Sequence, residues 1–193
     1  MRLTGGSARG KVLLTPRGQT TRPTDARTRE MLFNILAGEI ADARVLDLYA
    51  GSGAVGLEAL SRGATSCTFV EQSKPAAALI RSNLEQCGWK DSGEIWPCPV
   101  AVALRKLSMQ KCAFDIIFAD PPFHAADEWI HFAATIDKAA ALLDNVTEAA
   151  SSGLLVVQHP QRQLLQVPAS AELLETRRAG ESNLSFFQKN ITP

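Results

Sequence analysis

From residue 44 onward the chain alternates between two kinds of hydrophobic pattern. The runs RVLDLY (44–49), SCTFVE (66–71), FDIIFA (114–119) and GLLVVQH (153–159) are apolar at nearly every position. They are too short for helices and too continuously apolar for strands with one wet face, so they predict buried strands. Between them, AVGLEALSRGA (54–64), SKPAAALIRSNLEQCG (73–88), VAVALRKL (100–107) and ADEWIHFAATIDKAAALL (126–143) repeat apolar residues at helical spacing. Ser73 is placed to cap the second of these helices, and Gly63 and Gly88 to end the first and second. EIWPC (94–98) is a weaker strand. Strands alternating with helices predict a parallel sheet covered on both faces. The tail breaks the rhythm, because AELLETRRAGESNLSFFQK (171–189) predicts two strands around a turn near Gly180, Glu181 and Ser182, closing the sheet with an antiparallel pair.

The first 40 residues read differently. MRLTGGSARGKVLLTP predicts a small hairpin about a glycine-rich turn. TRPTDARTREMLFNILAGEI then takes up helical spacing. Met31, Leu32, Ile35 and Leu36 make its apolar face, Thr24 or Asp25 its cap and Gly38 its end. The expected division is an N-terminal extension over 1–38 and a single α/β domain over 39–193. No internal repeat interrupts it.

Charge sharpens this division. The whole chain is formally neutral over 193 residues, yet residues 1–30 hold seven basic against two acidic residues, a net +5 set against −5 in the remainder. A basic leader on a mildly acidic body points to a polyanionic partner. Of this set, Arg2, Arg9, Lys11, Arg22 and Arg27, with the neighbouring Thr24, are candidate nucleic-acid contacts. The four cysteines, Cys67, Cys87, Cys98 and Cys112, form no C-x-x-C pair and have no histidine at ligand spacing, so a structural metal and a disulfide framework are not expected. With no long apolar run and no signal-like start, a cytoplasmic protein is expected, monomeric and without membrane contact.

Two short segments carry candidate chemistry. In VLDLYAGSGAVGLEAL, Gly51, Gly53 and Gly56 fit G-x-G-x-x-G between a strand and a helix, and Glu71 ends the next strand twenty residues after Gly51. Such a loop lets a ligand approach the backbone, and a carboxylate at the second strand end suits ribose hydroxyls. Asp47, four residues before Gly51, disfavours a nicotinamide or flavin pyrophosphate, which it would repel. It suits the cationic amino-acid end of S-adenosylmethionine, which has no phosphate. The second segment is DPPF, residues 120–123, at the end of the fourth strand. Two prolines stop the strand and leave backbone carbonyls outside the ladder. Asp120 and the Pro121 carbonyl can accept both hydrogens of an exocyclic base amine, while Phe123 offers a stacking face.

Taken together, these segments resemble the class I S-adenosylmethionine-dependent methyltransferases with a [D/N]-P-P-[F/Y] motif. Among them the chain resembles the bacterial family that methylates guanine N2 in small-subunit (16S) ribosomal RNA. The likeness is carried by GSARGKVL, TRPTDARTREMLFNIL, VLDLYAGSGAVGLEALSRGA, FVEQ, FDIIFADPPF, GLLVVQH and RRAGESNLSFFQ. It implies a doubly wound, mostly parallel seven-stranded α/β sheet (Rossmann-like) with an antiparallel C-terminal strand and an N-terminal hairpin and helix. It implies cofactor contacts from Asp47, Tyr49, Ala50, Gly51, Ser52, Gly53, Glu71, Gln72 and Val100, and base contacts from Asp120, Pro121, Pro122 and Phe123. It also implies a partner, small-subunit rRNA, free or within an assembling subunit. The chain departs from the family at Pro99, where an acid or amide commonly meets adenine, at Gln158, where Glu is frequent, and at Glu181 and Ser182 in the tail. Two alternatives stand beside this reading: an adenine-N6 DNA methyltransferase using the same tetrapeptide, and a non-catalytic RNA-binding or ribosome-assembly protein on a relict cofactor fold.

Overall fold

The computed structural model of the chain describes residues 1–15, 26–122, 126–144 and 153–190. Its centre is one sheet of β1 (Arg44–Leu48), β2 (Ser66–Val70), β3 (Gly93–Trp96), β4 (Ile116–Ala119), β5 (Leu154–Pro160), β6 (Ala171–Ala179) and β7 (Ser182–Lys189). The strand order is 3-2-1-4-5-7-6. All neighbouring pairs among β1 to β5 are parallel, and β7 is inserted antiparallel between β5 and β6. The expected mostly parallel seven-stranded sheet is what the chain forms.

The helices are α1 (Ala26–Ile35), α2 (Ala54–Ser61), α3 (Lys74–Cys87), α4 (Val100–Met109) and α5 (Ala126–Ala140). They divide the apolar residues into two clusters, one on each face of the sheet. Val45, Phe69, Ile116, Phe118 and Val156 face the cluster shared with α1, α2 and α3. Leu46, Leu48, Val70, Ile117 and Leu155 face the cluster shared with α4 and α5. This alternation is why the strands read as continuous apolar runs, since both faces are dry. Gly56 sets the approach of α2 to the sheet: an added Cβ would lie 2.3 Å from the Phe69 ring and 2.5 Å from the Cys67 sulfur. Ser73 caps α3 through Ala76 N–H at 3.5 Å, and Gly88 ends it at φ +77°, both as the sequence predicts.

The N-terminal hairpin pairs at a single bridge, Arg2 with Val12. Of the helix face that the spacing predicts, Leu32 and Leu36 are buried and Met31 packs on the core, but the buried face is rotated away from Ile35. Thr28, Arg29, Leu32, Phe33 and Leu36 turn inward. Ile35 is 38 % exposed. The reason is ionic. Arg29 is buried against Glu58 of α2, Nε to Oε2 at 3.2 Å, with both side chains almost wholly out of solvent. Glu58 also accepts from Thr4 N at 2.9 Å, Thr4 Oγ1 at 2.7 Å, Gly5 N at 2.7 Å and Arg62 Nε at 2.9 Å. Burial alone would raise its carboxyl, but the hydrogen bonds from Thr4 and Arg62 and the Arg29 charge outweigh that and hold it below the usual range. One buried carboxylate thus fastens the hairpin, α1 and α2 together. The caps expected at Thr24 or Asp25 lie outside the described residues.

Candidate functional site at the carboxyl edge of the sheet

In an open α/β sheet the helices leave the carboxyl ends of the strands, and the crevice there takes the ligand. The loop after β1 occupies that edge. Tyr49 stands at φ +60°, a conformation rarely held by a non-glycine residue, and its half-buried ring lies 6.2 Å from that of Phe132 on α5. Burial raises its hydroxyl to about 12. Ala50 N–H bonds to the Val70 carbonyl at 3.0 Å, tying the loop to the end of β2. Gly53 precedes α2 at φ +76°, with its N–H on the Ala50 carbonyl at 2.7 Å. That left-handed turn is the reason for glycine here.

Two carboxylates hold this turn, Glu71 at the loop and Asp47 at the start of α2. Asp47, 2 % exposed, accepts the Gly56 N–H in the first turn of α2 through Oδ2 at 3.0 Å. Burial raises its carboxyl to about 7; the Gly56 hydrogen bond opposes this, and the charges of Asp120 and Glu71 add to it. Glu71, just past β2, accepts Gly51 N–H at 2.8 Å through one oxygen and Ser73 N–H at 2.7 Å through the other. The sequence places both acids at the cofactor. The structure brings them to the loop and shows a role that spacing does not reveal, as anchors of its amides. Each carboxylate oxygen keeps acceptor capacity beyond one such bond.

Asp120 follows the last residue of β4, the strand beside β1, so it stands next to the glycine loop as expected. Pro121 is buried and Pro122 exposed. Phe123 lies outside the described residues, as do Arg22 and Thr24. Val100 is buried at the start of α4 behind Pro99, and Gln72 is exposed beside Glu71.

The hairpin goes elsewhere. Ser7 N–H bonds to the Ser61 carbonyl at 2.7 Å, Ala8 N–H to Ser61 Oγ at 3.0 Å, and Lys11 Nζ to the Gln86 carbonyl. Those partners close α2 and lie in the last turn of α3, helices that run back from the carboxyl edge to the amino edge. Arg2, Arg9 and Lys11 therefore sit at the far end of the sheet from Asp120. Arg27 is exposed in the first turn of α1. All four cysteines are free thiols, and among the described residues no histidine, cysteine and acid cluster is fit to hold a metal. No described helix is long and apolar enough to cross a membrane.

The chain has relatives across its length. The family model described as conserved hypothetical protein 95 matches residues 1–188. The ribosomal RNA small subunit methyltransferase D of Escherichia coli K12 is 32 % identical over 190 residues, covering 98 % of this chain and 90 % of that protein. The protein of the same name in Haemophilus influenzae is 30 % identical over 190 residues, covering 97 % and 93 %. Among solved structures, a hypothetical protein of Thermus thermophilus superposes with a TM-score of 0.80 at 31 % identity, covering 96 % of this chain and 98 % of its own.

Proposed function

We propose, from the premise that this chain belongs to the family described as conserved hypothetical protein 95, that it methylates the exocyclic N2 amine of a guanine in small-subunit ribosomal RNA, with S-adenosylmethionine as donor. Methylation of ribosomal RNA accords with the names of the relatives. The guanine amine and the roles of individual residues are our reading.

The observation that supports this reading is the gathering of acids where β1 turns into α2: Glu71 holds Gly51 N–H, Asp47 holds Gly56 N–H in the first turn of α2, and the charges of Asp120 and Glu71 act on Asp47. Three carboxylates repel a pyrophosphate and suit a ligand with a cationic end and vicinal hydroxyls. Asp47 would face the cationic amino-acid end, Glu71 the ribose, and the amides of the Tyr49–Gly53 loop the remaining polar atoms. The bound donor supplies an electrophilic methyl group. Asp120 and the Pro121 carbonyl then do the protein's part. By accepting both amine hydrogens they draw the nitrogen lone pair out of the ring and aim it. Residues 1–38 form the RNA-facing extension, with the hairpin's Arg2, Arg9 and Lys11 engaging phosphates away from the reacting base.

The test is methyl transfer from labelled S-adenosylmethionine to three substrates side by side: small ribosomal subunits lacking the modification, naked small-subunit rRNA, and duplex DNA. Nucleoside mass spectrometry identifies the product. The expected product is N2-methylguanosine in the ribosomal samples. N6-methyladenine in DNA, or no label from folded protein, would overturn the reading.

A further inference from the structure

We infer that Gln158 selects guanine over other amine-bearing bases by accepting the N1–H of the target base. This rests on the reading that Asp120 and Pro121 hold the exocyclic amine.

The inference comes from register. β4 and β5 are parallel, and their last paired positions are Ala119 and Val157. Carried one step past the paired residues, the same register sets Asp120, which follows β4, level with Gln158 of β5, on neighbouring strands about 4.8 Å apart. They also share a face. Phe118 pairs with Val156, and both belong to the cluster on the α1 and α2 side, so the residues two positions on point the same way. Asp47 lies on that face too, two positions after Val45. The row Asp47, Asp120, Gln158 thus crosses β1, β4 and β5 at the edge where the base would sit. Gln158 is half-buried, with Leu184 opposite it on β7. His159, the next residue, turns to the other face, where it meets Ser185 Oγ at 2.8 Å and the Trp129 ring at 6.4 Å.

The chemistry follows from what adjoins the amine. The C2 amine of guanine is flanked by two ring nitrogens, N3 on the sugar side and N1 on the Watson–Crick edge. N1 carries a hydrogen, and in this proposal Gln158 lies on the N1 side. In 2,6-diaminopurine the same amine adjoins an N1 with a lone pair. A glutamine amide can present either end. In this register the level position beside it is that of Asp120, whose carboxylate is an acceptor only, and we take Nε2 to turn towards Asp120 and Oε1 towards the base. An oxygen in that position accepts from guanine and repels the diaminopurine nitrogen.

The experiment uses small-subunit rRNA carrying guanosine or 2,6-diaminopurine at the nucleotide that the wild-type enzyme methylates. Wild type and Gln158→Glu, which keeps an acceptor, should prefer guanosine by roughly tenfold in kcat/KM. Gln158→Leu should lose that preference by failing on guanosine alone, while binding S-adenosylmethionine as wild type does by calorimetry. Gln158→Met, of similar volume, carries the same test if the leucine variant does not bind the donor. An equal loss on both substrates, or an unchanged preference, would overturn the inference and leave the methyltransferase reading standing. If wild type makes no N2-methylguanosine, that reading fails and takes this inference with it.

Discussion

Asp47 and Gly56 are joined across the start of α2, carboxylate Oδ2 to amide N at 3.0 Å, with the carboxyl buried and raised to about 7. The group therefore changes charge near neutrality. A cationic ligand placed beside it favours the ionised form, so binding below neutrality must expel a proton. The affinity for S-adenosylmethionine should rise with pH between about 5 and 7, with a limiting slope of about tenfold per unit, and level off above. Calorimetry in buffers of different ionisation heat should detect the released proton at pH 6. Asp47→Asn should bind weakly and without this slope.

The same group shapes the stability of the ligand-free protein. Its folded pKa lies above its unfolded value of 3.8, so between the two the folded state holds more protons than the unfolded state. Stability should fall as pH rises from about 4 through 7, because an ionised, buried carboxylate is left above that range. Urea unfolding of wild type and Asp47→Asn at pH 5 and pH 8 checks the sign. The asparagine variant should lose less stability on going to pH 8.

Asp120 tests a different step. Asp120→Ala removes one acceptor for the amine and leaves the glycine loop, Glu71 and Asp47 in place. Transfer should fall by about 100-fold or more, while donor affinity, read by calorimetry, should hold. Transfer at the wild-type rate would remove Asp120 from the mechanism.

The Glu58 junction predicts a large stability effect far from the chemistry. Arg29→Ala removes one of the two guanidinium partners of the buried Glu58 carboxylate and should cost about 1.5–3 kcal/mol, measured by urea or thermal unfolding. Glu58→Leu should cost more than the Arg29 change, since it takes the acceptor from Arg29, Arg62 and the Thr4 and Gly5 amides at once.

Gly56→Ala forces a methyl to within 2.3 Å of the Phe69 ring. Pushing α2 off the sheet should cost about 1–3 kcal/mol and weaken donor binding, because the amide that Asp47 holds moves with the helix. Thermal shift with and without S-adenosylmethionine separates the two effects.

Much of this architecture is visible in the chain itself. Runs such as VLDL and IIFA could be read as buried parallel strands because both faces are dry, and the spacing of Asp47, Gly51 and Glu71 located the site edge. What hydrophobic periodicity could not show was where polar groups go. Arg29 counts as polar in any periodic reading, yet it is buried, because Glu58, far along the chain, is buried with it. That pair rotates α1 and puts Ile35 outside. The amides taken by Asp47 in α2 and by Glu71 in the glycine loop were equally illegible, since nothing in spacing tells a ligand-facing acid from one that also braces the backbone beside it. The level positions of Asp120 and Gln158 depend on the register of two strands separated by a long helix, which only the folded sheet fixes.

The insertion of β7 between β5 and β6 ties the fate of two strands to one. Among the described residues β6 has β7 as its sole strand partner in the sheet, although it precedes β7 in the chain. As the chain is synthesised, β6 emerges with no seat and must wait for the segment that follows. Any lesion that unseats β7 likewise releases β6, and it bares the edge of β5 at Gln158. Damage at the turn around Gly180, far from Asp120 in sequence, should therefore be felt as a fault in substrate choice before it is felt as loss of the donor.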